Sequence, residues 1–123
     1  MAANKPIRFG PAYLASSATN VIVVPTLSGG TGLGDTNSNC YLIIKHVRLV
    51  NKTAGAVTAS LYIGLTGGSA GGTEFMVNAT SIAANSYVDW YGALRLEPAD
   101  FLSGLAGAGS SITFQGEGEI GVV

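Results

Sequence analysis

Charge is what this sequence has least of. Only 11% of its 123 residues are Asp, Glu, Lys or Arg, against roughly 25% in a typical soluble domain. A small free monomer has much surface for its volume and ordinarily covers it with charge. Here apolar residues make up 47% and mean hydropathy is +0.39. A surface left to Ala, Gly, Ser, Thr and Asn points to one covered by other copies of the chain. A monomer with an uncharged polar skin is the plainer alternative.

Cysteine and histidine occur once each. Cys40 cannot close an internal disulfide, so the fold does not depend on an oxidising compartment. One Cys40 and one His46 cannot build a zinc site with several such ligands in a single chain. As a nucleophile pair they would have to meet, yet six residues along an extended strand separate them by ~20 Å. No apolar run approaches the ~18 residues of a membrane span. The start, MAANKPIRFGP, lacks the apolar core of a secretory signal. The expectation is a chain made and folded in a cytoplasm, without a membrane partner. The Asn51-Lys52-Thr53 and Asn78-Ala79-Thr80 glycosylation patterns then carry no weight. A length of 123 residues suits one domain with one core and no disulfide or metal staple.

The sparse charges are segregated along the chain. Up to Lys52 stand Lys5, Arg8, Lys45, Arg48 and Lys52 with Asp35 as the only acid; beyond it stands Arg95 with six acids. Five cations spread over fifty positions make no nucleic-acid patch, and a pI near 5.6 argues the same way.

What is present is the signal of β-structure. In residues 41–65 the second half alternates, with Val57, Ala59, Leu61 and Ile63 on one face and Thr58, Ser60, Tyr62 and Gly64 on the other. That period of two marks a strand with one buried face. In the first half, Val47, Leu49 and Asn51 share a face, but the same register would bury Lys45 where Ile44 serves better. The conflict predicts a β-bulge at Lys45-His46. Asn51–Ala56 reads as the loop of a hairpin, with Gly55 free to take a positive φ.

Along the rest of the chain, residues 1–11 read as an extended N-terminal arm because Pro6 and Pro11 remove donors and Gly10 loosens the backbone. Residues 12–123 form the folded domain. Tyr13–Ala15 and Asn20–Val24 read as strands, Leu27–Asn39 and Thr66–Thr73 as glycine-rich loops, and Glu74–Thr80 as a short strand. Ser81–Ser86 is a turn. Tyr87–Glu97 follows with Val88, Trp90, Leu94 and Leu96 inward and Tyr87, Asp89, Tyr91, Arg95 and Glu97 outward. Phe101–Leu105 and Ile112–Val122 close the domain. In the last strand Gly116 and Gly118 fall on the inner face, where a neighbour approaches closely. Some eight short strands and no amphipathic helix predict an all-β chain: a single antiparallel β-sandwich or jelly-roll-like domain.

The motifs that suggest chemistry each have a plainer structural reading. Gly30, Gly32 and Gly34 are followed by a polar stretch and a strand, whereas a phosphate loop needs a helix there. Asp35, Asn37 and Asn39 imitate the start of a calcium loop, but Cys40 stands where its glycine belongs and His46 where its glutamate belongs. A polar turn accounts for them. Asp89, Glu97 and Asp100 supply carboxylates for a glycosidase pair, yet two look outward and one flanks a turn. Tyr62, Tyr87, Trp90 and Tyr91 form an aromatic sugar platform only if Trp90 faces out, against its parity. The expectation is a protein without catalytic residues, cofactor or metal.

From Lys45 to Val122 the pieces come in a familiar order: HVRLVN, the turn KTAGA, VTASLYIG, a glycine loop, SIAANSYVDW, LRLEPADFLSGLA and ITFQGEGEI. In this order the chain resembles small β-sandwich virion proteins of tailed bacteriophages. The resemblance implies a late structural protein of the virion, above all a capsid decoration or cement protein. Its partners would be itself, as a homo-oligomer such as a trimer, and the major capsid protein or other virion proteins. The alternative is a neck or tail part, or a receptor- or carbohydrate-binding module. For contacts between copies the charge segregation nominates Lys5, Arg8, Arg48 and Lys52 against Glu117 and Glu119, unless these neutralise each other within one subunit.

Overall fold

A computed structural model describes residues 4–23, 26–27, 38–64, 72–75, 80–97 and 100–122. It carries strands β1 (Lys5–Tyr13), β2 (Thr19–Val23), β3 (Thr26–Leu27), β4 (Ser38–Asn51), β5 (Val57–Gly64), β6 (Thr80–Ile82), β7 (Ser86–Leu96), β8 (Phe101–Ala106) and β9 (Ile112–Val122). One sheet runs β1-β9-β4-β7, with β3 beside the start of β4; the other runs β2-β8-β5-β6, and all pairings are antiparallel. The two sheets form a β-sandwich. Apart from β3 with β4 and β5 with β6, each strand is followed by one in the other sheet. This interleaving is the eight-strand order of a jelly roll, with β3 as an addition.

The core lies between the sheets. Phe9, Leu42, Ile44, Val47, Leu49, Leu96, Ile112 and Phe114 from one sheet meet Ile22, Ala59, Leu61, Ile82, Leu102 and Ala106 from the other. Leu14, between β1 and β2, is wholly buried with them. Trp90 faces this core but is only partly buried. It sits at the rim, where Phe75 closes edge-on against it at 4.8 Å between ring centroids.

The bulge falls where the register conflict put it. Ile44 lies opposite Leu94 and Gly118, whereas His46 lies opposite Tyr91 and Glu117. Between those two lines β9 has no residue, β4 has Lys45, and β7 has Gly92 and Ala93. The buried set of β4 accordingly switches parity, from Cys40, Leu42 and Ile44 to Val47, Leu49 and Asn51. A carbonyl of β4 then crowds each inner glycine of β9. A Cβ at Gly116 would stand 2.2 Å from the His46 oxygen, and one at Gly118 1.9 Å from the Ile43 oxygen. The close neighbour expected there is the backbone of β4 itself.

Three expectations change. The first concerns residues 51–56, which join no hairpin, because β4 and β5 lie in different sheets. Both edges of β4 are taken, by β9 and β7, so β5 has no place beside it. The connection is an arch between sheets, and Gly55 is not among the residues with positive φ. Second, residues 5–11 do not stand free as an arm: with Ala12 and Tyr13 they form edge strand β1, paired to β9. Prolines are tolerated there because an edge strand leaves one row of donors unused. Third, Ser81 and Ile82 belong to strand β6, paired with β5, and the turn begins only after them. The stretches 28–37, 65–71 and 76–79, with Gly30, Gly32, Gly34, Asp35 and Asn37, lie outside the described residues.

Candidate functional site

Charge is divided between the sheets as sharply as along the chain. The strands of the β2-β8-β5-β6 sheet, TNVIV, FLSGLA, VTASLYIG and TSI, contain no charged residue. On its outer side Ser60, Tyr62 and Ser103 are buried despite the polar face expected for β5. Glu74 bridges Tyr62 beside this uncharged sheet, whereas Arg8, Lys45, Arg48, Asp89, Arg95, Glu117 and Glu119 gather on the outer face of the other sheet. Registers arrange that face in rows running from β1 to β7. One row is Arg8, Glu117, His46, Tyr91; the next is Gln115, Arg48, Asp89; the third is Tyr13, Thr113, Val50, Tyr87.

The second row holds the tightest cluster. Arg48 donates to Asp89 twice, from Nε to Oδ1 at 2.7 Å and from Nη2 to Oδ2 at 3.0 Å. His46 Nε2 lies 2.9 Å from the same Oδ1, and its ring stacks on Tyr91 at 4.6 Å between centroids. Donation by Arg48, then contact with His46, holds the Asp89 carboxyl down at about 2. Asp89 in turn raises the Arg48 guanidinium above its ordinary value. Nearer the start of β4, Lys45 Nζ meets Glu119 Oε2 at 2.6 Å and Asn4 donates to the same carboxylate, which lowers its pKa.

Cations also cover the tyrosines. Arg48 lies over Tyr87 at 4.5 Å, Arg95 over Tyr41 at 3.9 Å, and Lys52 over Tyr13 at 4.9 Å from the ring centroid.

A depressed carboxyl stabilises the fold above its unfolded pKa, and that contribution disappears as pH falls through the folded value. Between about pH 4 and pH 2, the urea midpoint of the chain is therefore expected to fall with a slope that Asp89→Asn reduces. Equal slopes in the two proteins would show that Asp89 is not held by Arg48.

Of the six residues nominated for contacts between copies, Arg8, Arg48, Glu117 and Glu119 share this outer face. Lys5 lies opposite Ile120, on the core-side parity at the end of β1, and Lys52 lies just past β4 beside Tyr13. Arg48 and Glu119 are engaged within the chain, by Asp89 and Lys45. Among the described residues, Lys5, Arg8 and Lys52 have no carboxylate within ion-pair distance, and Glu117 reaches only His46, at 3.9 Å. The two halves of the sequence thus neutralise each other in part inside one subunit, because β4 lies between β7 and β9.

The catalytic readings meet the same geometry. Cys40 is fully buried in the core while His46 lies on the outer face, so they form no pair. Asp89 is bound by Arg48, Glu97 by Arg95, and Asp100 accepts the backbone N–H of Glu97 at 3.0 Å. Of the suggested sugar platform, Tyr62 is buried and Trp90 faces inward, but Tyr87 and Tyr91 are 55% and 69% exposed. Sequence parity placed Asp89 and Tyr91 outward. Their meeting with Arg48 and His46 needed the register across the bulge, which no local pattern contains. No protein-family model matches the chain, and the search of curated proteins returns no match.

Proposed function

We propose that the chain is a non-enzymatic structural subunit that works as a repeated copy in a tailed-phage virion, as a decoration or cement protein that stabilises the head. The observation that supports this reading most is the charge-free sheet. A monomer usually charges the sheet surface that it leaves to water, for solubility and against stray pairing. Ser60, Tyr62 and Ser103 on that face are already buried within the chain. What stays partly exposed, Thr58, Phe101 and Leu105, is uncharged and suits burial under another protein, where charged residues are depleted and aromatics enriched. The partners on this reading are further copies of the chain and the major capsid protein. The phage assignment itself rests on the resemblance of residues 45–122.

The test is a solution mass measurement followed by incubation with empty phage heads. The expected result is a closed homo-oligomer that adds to the heads and raises their resistance to heat. Leu105→Lys places a charge on the uncharged face and is expected to abolish oligomer or head binding while the sandwich still melts cooperatively. A monomer that binds no heads, or a Leu105→Lys variant that assembles normally, would overturn the reading.

A further inference from the structure

We propose that the groove between β1 and β4, on the outer face of the charged sheet, binds a carboxylate-bearing sugar of the uronic or sialic acid class. The site lies on the sheet opposite the charge-free face and does not depend on the assembly reading. Its floor is β9 at Gln115, Gly116 and Glu117, one wall is Pro6 and Arg8, and the other is His46 and Arg48. The groove encloses about 480 Å³, within the range of small-ligand sites and sufficient for one or two sugar rings.

The chemistry follows from which groups are already engaged. Arg8 is exposed and, among the described residues, has no carboxylate within ion-pair distance, although Glu117 stands opposite it across the ladder. Its planar fork is therefore available for bidentate contact with a carboxylate. Arg48 is held rigid by Asp89 through Nε and Nη2, so Nη1 remains outside that pair. The Gln115 amide adds further hydrogen-bonding capacity. Donors thus exceed acceptors, which favours an anionic ligand.

Glu117 decides between anions. Its carboxylate lines the same groove, is 72% exposed, and touches only His46 at 3.9 Å. A bare anion would be repelled by it. A sugar acid carries a carboxylate for Arg8 and hydroxyl groups that donate to Glu117, so both halves of the groove are satisfied at once. The His46 ring, held in place by stacking on Tyr91 at 4.6 Å between centroids, lines the groove and offers the flat surface on which a sugar ring packs. An acidic peptide brings carboxylates but no ring of hydroxyls, and Glu117 counts against it.

The experiment is calorimetric titration of the intact chain with digalacturonate, glucuronate and N-acetylneuraminate, alongside galactobiose as the neutral match and tri-aspartate as the peptide. Saturable binding of at least one sugar acid is expected, with galactobiose and tri-aspartate each at least ~10-fold weaker. Arg8→Ala should weaken the sugar acid by ~10-fold or more, as expected when a charged hydrogen bond is lost. Arg8→Lys, which keeps the charge but not the fork, should recover only part of that loss. Both variants change an exposed residue and should melt as the parent does. Absence of binding by all three acids, equal binding of galactobiose, tighter binding of tri-aspartate, or an unchanged affinity in Arg8→Ala would each overturn the assignment.

Discussion

Gly118→Ala is expected to destabilise the sandwich by ~3 kcal/mol, at the upper end of what overpacking usually costs. A Cβ at this position would stand 1.9 Å from the Ile43 carbonyl oxygen and 2.9 Å from its carbon. Those are backbone atoms of the neighbouring strand, so no side-chain rotation relieves the overlap. The strand β9 would have to move away from β4 at the bulge, and the ladder between them would loosen on both sides. Gly55→Ala serves as the control, because a Cβ there meets nothing within 4 Å and its φ is not positive. That change should be neutral or stabilising by a few tenths of a kcal/mol, through the unfolded chain. Urea denaturation of the two variants measures both. If Gly118→Ala melts with the parent, the bulge does not press on β9.

The bulge is legible in the sequence because two demands of one strand conflict. Ile44 and Val47 both belong inside, and three positions separate them, so an alternating strand can bury both only by gaining a residue. The inner glycines of β9 are legible for a similar reason, since a strand interior spends glycine where a backbone comes close. What stays hidden is how strands meet. The stretch 41–65 reads as a hairpin and is an arch, because alternation records which side chains are buried and not which sheet buries them. Only the pairing of β4 with β7 and β9 excludes the hairpin, and that pairing joins residues 35 (Asn51 with Ser86) to 82 (Cys40 with Val122) positions apart. The cluster of Arg48, His46 and Asp89 is hidden for the same reason: its parts are outward-facing in sequence, but their contact depends on a register shifted by the bulge.

The arch has its own fastening, and it explains the Asn that ends HVRLVN. Asn51 is 0% exposed, yet each polar atom of its side chain is used. Its Nδ2 donates to the carbonyls of Gly55 at 2.9 Å, Ile82 at 2.9 Å and Ala83 at 3.2 Å, while Oδ1 accepts from the Thr53 N–H at 3.0 Å and hydroxyl at 2.7 Å. One amide thus joins the β4–β5 arch to the end of β6, tying the two sheets together where the chain crosses. Asn51→Ala should cost ~4 kcal/mol, since it takes the donor from the buried Ile82 carbonyl and opens a cavity at a wholly buried site. Asn51→Asp separates the two causes. It fills the same space but sets a carboxylate against three carbonyl oxygens, so its folded pKa must rise above the unfolded value. A carboxyl raised in this way contributes stability below its unfolded pKa and loses it as pH climbs through the folded one. The Asn51→Asp variant should therefore approach the parent near pH 4 and fall well below it at pH 7, the opposite direction from the acid loss attributed to Asp89. Urea midpoints across that range provide the measurement, and a variant as stable as the parent at pH 7 would show that the Asn51 amide does not hold the arch.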